Sequence, residues 1–126
     1  MMIKNLLIIG TGGFIGSIAR FLVSRLNLTV SFFSIPFGTL VINILGSLII
    51  GFVAGMSDKT TLLSTEARLF LMVGLCGGFT TFSSFTLENL TLIHNGQFLQ
   101  VLLYTSLSFF LGIFAVFAGY NLSNLI

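Results

Sequence analysis

The chain has 126 residues; 56% are hydrophobic, only 6% are charged, and the formal net charge is +2. Soluble domains carry roughly 25% charged residues, so a free soluble domain is excluded and lipid is the expected solvent. The five basic residues are spread along the chain and make no nucleic-acid patch; the lone Cys76 excludes an internal disulfide and reads as a small buried thiol.

Four apolar segments follow one another, at residues 3–26, 36–56, 66–94 and 98–122. Each reaches the roughly 20 residues that cross a bilayer as a helix. The connections at 27–35 and 57–65 are rich in Asn, Ser, Thr, Asp and Lys, which suit turns. The expected organisation is one all-α membrane domain over residues 1–126, with no soluble domain or low-complexity tail. A signal peptide is a poor account of the first segment, because Lys4 alone is a minimal basic region and the apolar run is too long.

The first segment contains IIGTGGFIGSIAR. A dinucleotide fingerprint fails there: Ile15 stands where the third glycine belongs, and no acidic residue follows about 20 positions on. Gly12 and Gly16 instead form a small-xxx-small pair, as do Gly51/Gly55 and Gly74/Gly78. Such pairs let helix backbones approach closely in lipid, within the chain or against another chain. Arg20, near the end of this span, either snorkels to the interface or lines a wet vestibule.

The second segment opens on Pro36, suited to a first helical turn, and holds one strongly polar interior residue, Asn43. Thr39, Gly46 and Ser47 share its face. Asn43 is open to two accounts, an interhelical hydrogen bond or a pore-facing amide donor for an anion.

The third segment carries GLCGGFTTFSSFTLE, residues 74–88. Glycine is a poor helix former, and Gly77-Gly78 side by side predict a break. Broken backbone at membrane depth is tolerated only against protein or a water-filled cavity, so this stretch is expected to face a partner or a pore. Phe82 and Phe85 are i,i+3 neighbours that either pack or line a path, and Thr81, Ser84, Phe85 and Glu88 share a stripe. In the fourth segment Tyr104 and Ser108 lie one turn apart, where hydroxyls often bond the i−4 carbonyl. Without Trp, Tyr104 and Tyr120 are the available substitutes for an interfacial aromatic belt.

Four spans put both termini on one side, with Lys4, Lys59 and Arg68; Arg20, Arg25 and His94 fall on the other. The positive-inside rule needs a clear excess, and none exists. A chain without bias inserts both ways up, and the two orientations pair as an antiparallel homodimer about a twofold axis in the membrane plane.

These motifs resemble the Fluc-type fluoride channels, the CrcB family, along the whole chain. GGFIGSIARF resembles the family's glycine pattern ending in Arg, here Arg20. PFGTLVINILGS is similar to PxGTLxxNxxG, with Asn43 as its Asn, and GGFTTFSSF is similar to GGxTTFSTF, the most specific of the three. The resemblance implies a passive fluoride channel of the cell (inner) membrane, built as a dual-topology homodimer with two antiparallel pores. It implies Phe82 and Phe85 as pore phenylalanines, Asn43 as a pore-facing donor, and a polar track through Ser83, Ser84 and Ser108 with Tyr104 nearby. It also implies a structural sodium ion at the dimer axis, held by the backbone carbonyls of Gly77 and Thr80 from each chain. Two departures stand out: Ser84 replaces the motif's Thr and keeps the hydroxyl, and Gly112 replaces a hydroxyl often found one turn after Ser108.

Two other functions compete. A proton-coupled multidrug exporter needs an intramembrane carboxylate, yet the first segment has none, and the acids are Asp58, Glu66 and Glu88. A non-transporting assembly subunit leaves the alignment of hydroxyls with Asn43 and the Phe pair unexplained. An enzyme is not expected, since His94 has no Cys or clustered carboxylates beside it.

Overall fold

A computed structural model of the chain describes residues 1–25, 34–59 and 62–126. Most of the 27–35 connection, the end of the first segment at Leu26, and residues 60 and 61 of the next connection lie outside the described residues.

The first helix is Met2–Arg25 and the second Phe37–Lys59. The third span begins as α-helix at Thr65–Arg68, widens to a π-helix over Leu69–Cys76, and returns to α-helix at Gly77–Phe79. After an extended pair of residues it resumes as Phe82–His94. The fourth helix is Phe98–Leu122, closed by a 3₁₀ turn at Ser123–Leu125. All four spans are long and apolar enough to cross a membrane.

Local chemistry sets the ends. Ser64 caps the third span by accepting from the Ala67 N–H at 3.1 Å. The turn into the fourth helix is a Schellman motif: Gly96 at φ +72° donates to the Ile93 carbonyl, and the Gln97 N–H donates to Leu92. Only a residue tolerant of positive φ fits that corner.

Two helix pairs make the bundle. The first helix lies on the leading half of the third span, where a side chain on Gly16 would collide with the Leu75 carbonyl and one on Gly74 would meet the Gly12 Cα at 2.9 Å. The second helix lies on the fourth, where Gly51 faces the Val116 backbone and Gly55 the Tyr120 carbonyl. All three small-xxx-small pairs are therefore used inside the chain, and they carry no information about a second copy. Between the pairs sits a core of Ile35, Leu40, Leu92 and the fully buried Tyr104.

An ion pair and three hydrogen bonds tie the ends in the arrangement that four alternating spans require. Lys4 Nζ meets Glu66 Oε1 at 3.1 Å, joining the starts of the first and third spans. At the same end Tyr120 donates to Asp58 at 2.8 Å and Lys59 donates to Ser123 Oγ at 3.0 Å. At the other end Gln97 donates to Ser34 Oγ at 3.1 Å.

The break in the third span falls later than the glycine pair predicts. Gly77 and Gly78 are helical, and the chain leaves the helix at Thr80 (ψ 156°) and Thr81 (φ −149°, ψ 114°). Gly78 serves close packing instead, since a Cβ there would meet the Gly13 carbonyl at 2.6 Å. Threonine, β-branched, accepts extended backbone readily, and Thr81 then caps the second half by accepting from the Ser84 N–H at 3.2 Å.

A candidate pore site at the interrupted third span

The break strands backbone groups at mid-span, and two other helices supply their partners. Asn43 brackets Thr81: its Nδ2 donates to the Thr81 carbonyl at 3.1 Å, and its Oδ1 accepts from the Thr81 N–H at 2.8 Å. Of the two accounts open for Asn43, the interhelical hydrogen bond is what the geometry displays, and the second N–H of the amide has no partner among the described residues. One turn on, the absent side chain of Gly46 leaves room for the Thr80 methyl group. From the first helix Arg20 turns inward and its Nε donates to the Gly78 carbonyl at 3.0 Å.

Two cavities adjoin the break, and Thr81 lines both. One of about 370 Å³ is lined by Asn43, Ser47, Cys76, Gly77, Thr80 and Phe82. The other, about 210 Å³, is lined by Ser17, Arg20, Thr39, Thr81 and Ser84. Gly77 and Thr80 thus share the larger cavity, and Arg20 and Ser84 share the smaller. Cys76 is buried, as a small thiol in an apolar run should be.

The two phenylalanines are neighbours with different surroundings. Their ring centroids are 5.8 Å apart, but Phe82 is 76% exposed while Phe85 packs on Tyr104 at 5.0 Å and joins the core. Tyr104 is not an interfacial anchor: it is buried, and its hydroxyl donates to Glu88 Oε1 at 2.9 Å. Thr39 donates to the other carboxylate oxygen at 2.9 Å. Sequence reasoning left this Thr39–Glu88–Tyr104 group unassembled. Its signal was present in two parts, Thr39 on the Asn43 face and Glu88 on the Ser84 stripe, and only helix docking joins them.

The remaining hydroxyls divide. Thr81 Oγ1 donates to Ser84 Oγ at 3.1 Å, and the Ser84 proton has no partner among the described residues. Ser83 is exposed, with its hydroxyl 3.4 Å from Thr81 Oγ1 and its carbonyl accepting from Thr86 Oγ1 at 3.0 Å. Ser108 does not bond the i−4 carbonyl; its Oγ is buried with no partner among the described residues. Gly112 lies beside the second helix, with Ser47 Oγ 3.8 Å from where a side chain would begin.

A four-span helical chain whose third span is interrupted midway, with the break held by polar groups of two other spans, belongs to the class of polytopic membrane proteins with a discontinuous helix. The family model described as CrcB-like protein, Camphor Resistance (CrcB), matches residues 7–120. A Chlorobaculum tepidum protein named fluoride-specific ion channel FluC is 46% identical over 125 residues, covering 99% of this chain and 98% of that protein. Proteins of the same name from Azobacteroides pseudotrichonymphae and Elusimicrobium minutum are 41% and 39% identical, each covering at least 98% of both chains. The chain belongs to the CrcB family.

Proposed function

We propose that this chain forms a passive fluoride channel in the inner cell membrane, with its pores built between two copies inserted in opposite orientations. The observation that carries fluoride is the 46% identity, over 99% of the chain, to a relative named for that ion. The site supports passage of a small anion. Fluoride holds its water tightly, so a path must offer donors in exchange. The protons of Tyr104 and Thr39 are committed to Glu88. Among the described residues Ser84, Ser108 and one N–H of Asn43 keep donors free, and these three are the proposed anion contacts. The edges of the Phe82 and Phe85 rings are positive where their faces are negative, which suits brief contact with an anion. A ring of cations would hold the ion too firmly to release it.

The resemblance adds a structural sodium ion, and the residues fit one. Among the described residues no backbone bond across the break goes to the Gly77 or Thr80 carbonyl, and both residues line the larger cavity. Carbonyl oxygens suit a hard cation. Two copies facing each other would supply about four oxygens, and the ion would offset anion charge nearby. An intramembrane carboxylate for proton coupling is not offered: both oxygens of Glu88 already accept hydrogen bonds.

Fluoride efflux from liposomes holding the purified protein, with chloride as comparison, tests this reading. Fast fluoride loss with chloride retained is expected. Equal release of both ions, or none of either, overturns it.

A further inference from the structure

The break exposes more carbonyls than one small cation takes, and the chain assigns several of them. Cys76 accepts from both the Thr80 N–H at 3.0 Å and Thr80 Oγ1 at 2.8 Å. Thr81 accepts from Asn43. Gly78 accepts from Arg20 Nε at 3.0 Å, with its own backbone pressed against Gly13. Among the described residues Gly77, Phe79 and Thr80 are left, and of these Gly77 and Thr80 line the larger cavity, which Arg20 does not line.

Neighbouring carbonyls at a helix C-terminus point the same way and together attract positive charge. A guanidinium and a free cation therefore compete for the same oxygens. Arginine presents a fixed planar fork and stays charged, so it holds one chosen carbonyl rather than sampling several. We propose that Arg20 is a positioning residue that sorts the carbonyls of the break. By holding the Gly78 carbonyl at the first helix it leaves Gly77 and Thr80 as the cation-facing pair and keeps its own charge in the smaller cavity. The inference rests on the sodium reading above.

The test is a sodium titration of the melting temperature of the purified protein, at constant ionic strength with N-methylglucamine as the replacing cation. Wild-type protein melts higher as sodium rises, with a measurable midpoint. Arg20→Gln removes the guanidinium, and its midpoint moves to about tenfold higher sodium. Arg20→Lys keeps a cation without the fork and moves it about threefold. Arg25→Gln, which alters a residue set over the Phe21 ring with no hydrogen bond to a carbonyl of the break among the described residues, leaves the midpoint in place. A merely structural Arg20 lowers melting equally at every sodium concentration. If Arg20→Gln melts lower but keeps the wild-type midpoint, the sorting role is wrong while the sodium site stands. If wild-type melting ignores sodium, the sodium site and the sorting role fall together. Where Arg20→Gln does not assemble, Arg20→Lys decides, and an unmoved midpoint there overturns the proposal.

Discussion

Asn43 closes on the main chain of Thr81 from both sides, so its replacements probe backbone and pore separately. Asn43→Ala strands an N–H and a C=O at a cost of about 1–3 kcal/mol each, and the melting temperature should fall. Asn43→Asp keeps the acceptor for the Thr81 N–H but sets a second oxygen against the Thr81 carbonyl. It also adds a fixed negative charge, and at about 4 Å with an effective dielectric near 20 the repulsion on a passing anion is roughly 4 kcal/mol. Fluoride efflux should be nearly abolished by Asn43→Asp, in protein that still elutes as the wild-type oligomer. Efflux at the wild-type rate would remove Asn43 from the path. The phenylalanines separate in the same way. Phe85→Ile loses the ring contact with Tyr104, worth about 0.5–1.5 kcal/mol beyond area, and should lower both melting temperature and flux. Phe82 has little packing to lose, so Phe82→Ile should cut flux with melting unchanged. Unchanged flux in well-folded Phe82→Ile would rule out a ring-edge role for Phe82.

At the scale of elements, the two helix pairs rest on backbone contact, and glycine position decides what a methyl group does. Gly16→Ala puts a Cβ on the Leu75 carbonyl, and forced separation of packed elements costs about 1–3 kcal/mol. Gly10, on the same helix, has nothing among the described residues within 4 Å of a new Cβ. Gly10→Ala should therefore be neutral or stabilising by up to about 1 kcal/mol, the helix-propensity difference. Thermal melting of the two variants side by side checks this; equal losses would mean the first helix does not dock where it is drawn. The third span shows how much of an element its sequence announces. An interruption is legible in the glycines and hydroxyls of residues 74–88. Its position at Thr80–Thr81 is not, because the partners that stabilise extended backbone there come from Asn43, 38 residues away. The π-helical winding of Leu69–Cys76 had no signal in the apolar pattern either, which reads the same for both helix types.

For the whole molecule, the basic residues are nearly balanced between the two ends, with Lys4, Lys59 and Arg68 facing Arg20 and Arg25. The glycine pairs no longer argue for a dimer, being consumed within the chain. What remains outward is apolar: Phe14, Phe110 and Phe117 are each about two-thirds exposed, available to lipid or a second copy. The proposed antiparallel dimer is tested through orientation. Two lysines added to the 57–65 connection bias every chain one way. Flux should then disappear and return when a copy with lysines added at the opposite end is co-expressed. Full flux from the uniformly oriented population would rule the antiparallel arrangement out.

Span count, the presence of a break, and the candidate donors were fixed by local sequence, since bilayer crossing depends on hydropathy over about 20 residues and helix breaking on the residues in place. The three family motifs lie within single segments for the same reason. Tertiary structure decided the rest, because each remaining feature joins residues from different helices. Docking of the second helix set the break at Thr80–Thr81 and seated Glu88 between Thr39 and Tyr104. Docking of the first turned Arg20 inward onto Gly78. In a medium where helices gain nothing from simply being apolar, close backbone contact and satisfied polar groups choose the neighbours, and those choices are written in pairs of residues that the linear sequence keeps apart.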